Sequence, residues 1–76
     1  MQCLICGKEA HDITRADFDG IAVSCPDECG HYTVASRYEQ KLSELDYEDR
    51  KAVLAKAKRF ARYRGGDIPS INATAF

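Results

Sequence analysis

The 76-residue chain contains no hydrophobic run approaching the roughly 18 residues of a membrane span. Nor does it open on a basic stretch followed by about 7 to 15 apolar residues, the pattern of a secretory leader. These absences point to a cytoplasmic protein with no membrane partner, in which thiols stay reduced. There is no low-complexity stretch and no linker-like segment, so a single domain over residues 1–76 is expected. Motifs of common catalysis are missing too: no His-x-Glu paired with Pro-Cys-x-x-Cys, no His-Glu-x-x-His and no phosphate loop. With no nucleophile beside a recognisable base, no catalytic residue is assigned, and neither an enzyme nor a small-molecule substrate is expected. A chain this short buries a small share of its surface, so some staple must support its core.

Four cysteines are available for that purpose, and there are no others. "CLICG" places Cys3 and Cys6 in C-x2-C spacing, "CPDECG" places Cys25 and Cys29 in C-x3-C spacing, and a glycine follows each second cysteine. Two such pairs at this separation suit one tetrahedral four-thiolate site, and the expectation is one Zn²⁺ per chain held by Cys3, Cys6, Cys25 and Cys29. Gly7 and Gly30 can take positive φ where the chain folds back to aim sulfurs and amide protons at the ion. Iron in the same sulfurs, disulfides in any of three pairings, and unligated free thiols are the alternatives. His11 and His31 lie close enough in sequence to replace a cysteine; with four thiolates present they read as polar residues at the edge of the site, His31 being the better placed to touch a ligand.

The two knuckles resemble those of the zinc ribbons, in which a pair of CxxCG turns on β-hairpins grips one zinc. The resemblance covers about residues 1–35 and departs from the usual pattern by one residue inserted in "CPDEC". "CPDECGHYTV" is also similar to a segment of small bacterial proteins in which a ribbon precedes a helical tail. The resemblance implies a fold and a metal more than an activity.

The expected fold is therefore a small metal-stabilised α+β domain: a ribbon over 1–35, a helical segment over 36–66 and a tail over 67–76. "HDIT" and "IAVSC" read as strands joined through the Asp-Gly turn of "RADFDG", and "HYTVA" as a third strand. "SRYE" has the form of a capping box, with Ser36 and Glu39 opening a short helix from Arg37 to about Leu45. A second helix, long and amphipathic, is expected from Tyr47 to Arg64. Asp46 would be its N-cap, Val53, Leu54, Ala57, Phe60 and Ala61 its apolar stripe, and Gly65 and Gly66 its stop. Ile68 and Ile71 could fold back onto the core.

Charge divides sharply along the chain. Residues 1–49 carry four basic against eleven acidic side chains, whereas residues 50–64 carry seven basic and no acidic ones. On a helical wheel, Lys51, Lys58 and Arg62 share a face away from the apolar stripe, and Arg59 and, farther round, Lys56 extend it. This face reads either as a solvated surface partly paired with the acidic ribbon, or as a contact stripe for an acidic protein or for phosphates. Phe18, Tyr32 and Tyr63 are candidate base-stacking aromatics, and Phe18, in a polar turn, is also a candidate partner contact. Four thiolates around Zn²⁺ would carry the formal charge from −1 to about −3, which opposes nucleic-acid binding. A non-enzymatic zinc-binding module that contacts a protein partner, as adaptor, regulator or inhibitor of bacterial or phage type, is thus expected ahead of a nucleic-acid-binding ribbon.

Overall fold

The computed structural model describes residues 1–27, 29–63 and 68–76. Strands β1 (His11–Asp12), β2 (Gly20–Cys25) and β3 (Gly30–Ala35) form an antiparallel meander, as the sequence leads one to expect. After β3 the chain turns through a 3-10 segment, Ser36–Tyr38, into helix α1 (Glu39–Ser43), and then into helix α2 (Tyr47–Tyr63). A two-residue strand β4 (Ser70–Ile71) completes a four-stranded sheet of order β1-β2-β3-β4, lying parallel to β3 with Val34 opposite Ile71. The molecule is a small α+β fold measuring 29 × 28 × 25 Å.

Strand alternation sorts the sheet into two faces. In the β2–β3 register Ile21 lies opposite Val34, Val23 opposite Tyr32 and Cys25 opposite Gly30, and the side chains of this row point inward. Val23, Tyr32, Val34 and Ile71 are fully buried there. They form one cluster with Leu42 of α1 and with Val53, Leu54 and Ala57 of α2. The alternate row, with Ala22 opposite Thr33 and Ser24 opposite His31, points outward.

Several expectations change at this level. The Ser36 hydroxyl does not cap a helix: the first turn is 3-10, no side-chain cap bond forms, and Ser36 Oγ instead donates to Asp19 Oδ1 at 2.8 Å. The charge-assisted bond holds the Ser36 side chain toward Asp19 and away from the first-turn amides whose protons a capping oxygen would accept. Asp46 caps α2 as expected, its Oδ1 accepting from the Asp49 amide at 2.9 Å. Phe60, assigned to the apolar stripe, is 45% exposed. It stands about 60° round the helix from Ala57; Ala75 and Phe76 border that flank beside Val53, about two turns earlier. Ile71 does return to the core, but Ile68 is 50% exposed. The proposed stop at Gly65 and Gly66, and Arg64, lie outside the described residues.

Candidate metal centre

The first knuckle is closed by its own backbone. Cys3 N donates to Lys8 O at 2.7 Å and Gly7 N to Cys3 O at 2.9 Å, just inside the bridge between Gln2 and Glu9. The second knuckle is the β2–β3 hairpin end, where Cys25 is the last residue of β2 and Cys29 immediately precedes β3. The extra residue of "CPDEC" is absorbed in that turn. Gly7 and Gly30 adopt φ of +78° and +70°, the left-handed conformation that the fold-back demands. Lys8 and Asp27 form an ion pair between the knuckles, so Asp27 is a surface link; Glu28 lies outside the described residues.

These elements bring the sulfurs of Cys3, Cys6, Cys25 and Cys29 within 4.8 Å of one another. Cys6 Sγ and Cys25 Sγ are 3.8 Å apart, the edge expected of sulfurs held about 2.3 Å from a shared tetrahedral ion and far beyond the about 2.05 Å of a disulfide. All four are free thiols. The cluster could hold a metal ion.

Its electrostatics favour a cation. Burial alone raises the Cys3 thiol, but hydrogen bonds from the Cys6 amide, the Tyr32 hydroxyl and the Ile5 amide outweigh it and bring Cys3 down to about 7. Tyr32 Oη lies 3.2 Å from Cys3 Sγ and accepts the Leu4 amide at 2.9 Å, so its own proton is available to the sulfur. Burial, then the adjacent Cys3 sulfur, pushes the Tyr32 phenol upward and keeps it a donor. Burial, followed by neighbouring sulfurs, raises Cys6 and Cys29 above the usual thiol value. The Cys3 thiolate forms readily; Cys6 and Cys29 need positive charge at the centre of the cluster.

Arg50 braces this half against the helices. Its Nε donates to Ile5 O at 3.0 Å and its Nη1 to Leu45 O at 2.6 Å, which ties the first knuckle to the segment between α1 and α2. Sequence reasoning assigns Arg50 no partner, because a carbonyl acceptor on a knuckle leaves no compositional trace. Tyr32, a candidate for base stacking, is fully buried and serves the sulfur instead. Alternation with inward-facing Val34 could have placed it. His11 and His31 are both exposed, flanking Ser24 in the sheet register, and neither joins the sulfur cluster.

The basic residues separate into two groups. Lys51 and Lys58 border one pocket with Ile5, Cys29, Tyr47, Leu54 and Ala55. Arg59 and Arg62 are exposed farther along α2. Lys56 belongs to the other flank, beside Asp49, Val53 and Phe76. Phe18, 39% exposed, borders a groove with Ile13, Ile68 and the outward-facing Ala22 and Thr33, on the face of the sheet away from α2. Among the described residues no ion pair joins the basic side chains of α2 to the acidic ribbon. The side chain of Tyr63 lies outside the described residues. No described helix is long and apolar enough to cross a membrane.

Comparison with protein-family models, with curated proteins and with solved structures finds no match to this chain.

Proposed function

We propose that the protein is a non-enzymatic zinc-binding module of zinc-ribbon type, in which Cys3, Cys6, Cys25 and Cys29 hold one Zn²⁺ and the helical half contacts a macromolecular partner. The observation that carries this reading is the convergence of four sulfurs from two knuckles within 4.8 Å of one another. Four thiolates close a tetrahedral sphere and leave no position for substrate or water, which supports a structural role for the ion. Zinc is preferred to iron because a closed four-cysteine sphere built from two short-spaced cysteine pairs is the usual arrangement of structural zinc.

Protein purified from medium with balanced zinc and iron is expected to contain about one zinc per chain. Chelation should loosen the fold, since binding energy at such a site is folding energy. Iron at unit stoichiometry, or a metal-free protein that is fully folded in reductant, would overturn the assignment.

A protein partner is preferred to nucleic acid because the exposed aromatic at Phe18 and the basic face of α2 lie on opposite sides of the sheet. A single nucleic-acid strand cannot stack on one while its phosphates meet the other. The exposed Lys51, Arg59 and Arg62 favour the nucleic-acid reading as the alternative. Oligonucleotide affinity that drops steeply with salt and vanishes in a Lys58→Glu, Arg62→Glu variant would establish it.

A further inference from the structure

We infer that the pocket between α2 and the metal-bearing half is a docking site for an acidic peptide segment with one apolar side chain. This inference rests on the module reading above and names its partner. The pocket encloses about 210 Å³, with Ile5, Leu54 and Ala55 as its apolar lining, Cys29 on the metal side, and Tyr47, Lys51 and Lys58 around it. That volume falls below the roughly 300–1,000 Å³ of sites for free small molecules. It suits a single Leu, Met or Phe side chain delivered by a larger partner.

Two further observations select an acidic peptide over nucleic acid. Lys51 Nζ sits over the Tyr47 ring at 5.1 Å from its centroid, so that ring face is covered by a cation and closed to a base. Lys58 has no ion-pair partner among the described residues, and Arg62 continues the same face of α2 one turn farther on. The seven-residue step from Lys51 to Lys58 spans about 10.5 Å along the helix. In an extended peptide alternate side chains share one face, so acids at i and i+4 with an apolar residue at i+2 all face the helix; the acids lie about 13–14 Å apart, a span the long lysine stems match while the central residue enters the pocket.

The test titrates zinc-loaded protein, its metal content measured first, into short fluorescein-labelled peptides followed by anisotropy. One peptide has glutamates around a central leucine, a second replaces the glutamates with glutamine, a third replaces the leucine with serine, and an oligothymidylate of equal charge is the fourth probe. The glutamate–leucine peptide is expected to bind at least about tenfold tighter than either altered peptide, a difference of about 1.4 kcal/mol. Lys51→Glu with Lys58→Glu should abolish binding, whereas Lys56→Glu on the other flank should leave it intact. Amide shift changes on binding should centre on Leu54, Ala55 and Lys58. Equal binding of the serine peptide, shift changes confined to the Phe18 groove, tighter oligothymidylate binding lost in the same variant, or no binding at millimolar peptide would each overturn the inference. If zinc is present and the peptide fails, only this site is refuted; if zinc is absent, the module reading itself falls.

Discussion

At the scale of the residue, the Tyr32 hydroxyl performs two tasks with one oxygen: it accepts the Leu4 amide and offers its proton to the Cys3 sulfur. Tyr32→Phe removes both with almost no change of volume. Partners of metal ligands typically contribute 10- to 100-fold in affinity, so zinc affinity measured by competition with a chromophoric chelator should fall by about that factor. The pH dependence follows from the sign of the Cys3 shift. Its pKa is depressed from 9.0 to about 7, so the thiolate's contribution is fully present above pH 9 and is lost as pH falls through about 7. Without the Tyr32 proton the Cys3 pKa rises, and metal loss on acidification should begin at a higher pH than in the wild type. Gly30→Ala puts a Cβ into open space but at φ +70°, so a cost of about 1–2 kcal/mol is expected from backbone strain alone. The four-cysteine cluster and both glycines were legible in the sequence because spacing and residue type encode them directly. The hydroxyl was not, because a tyrosine two residues beyond a knuckle glycine suits an exposed strand face as well as a buried one until the register is known.

At the scale of the element, strands and helices followed from periodicity, and the errors lie at their ends. Ser36 and Glu39 have capping-box spacing, but the bond the serine hydroxyl donates to Asp19 turns its side chain toward a distant turn, and no local pattern reports a long-range acceptor. Asp46 meets no such rival and caps α2; Asp46→Ala should lower stability by about 1 kcal/mol, read from the urea midpoint. Arg50 shows the same limit in reverse, a side chain within a basic run whose role is to hold Ile5 O and Leu45 O. Arg50→Ala should cost about 2 kcal/mol, since each carbonyl loses a charged donor. Metal affinity should weaken with it, because Ile5 sits between Cys3 and Cys6. β4 was invisible in advance because two residues carry no measurable alternation. Its pairing with β3 is set by the return of the chain after α2.

At the scale of the whole molecule, no described ion pair joins the acidic and basic segments of the sequence: Met1 with Glu9 and Lys8 with Asp27 both lie within residues 1–27. Among the described residues, the six cations from Arg50 to Arg62 find no ion-pair partner, apart from the structural use of Arg50 and the contact of Lys51 with Tyr47. The C-terminal segment is part of the core rather than an appendage. Ile71 is fully buried, Ala75 is 3% exposed, and Phe76 stacks on Tyr38 at 5.5 Å with Lys41 5.2 Å above its ring. Ile71→Ala should cost about 2–5 kcal/mol, with a correspondingly lower Tm in the zinc-loaded protein. Parallel pairing of β4 with β3 has a temporal consequence. The cysteines span only residues 3–29, whereas Thr33 must await Pro69 and Ser70, and contacts between distant positions close late because the intervening loop must first be ordered. The four sulfurs can thus converge before β4 pairs, and the β3 edge of the sheet stays open until the segment that follows α2 has docked.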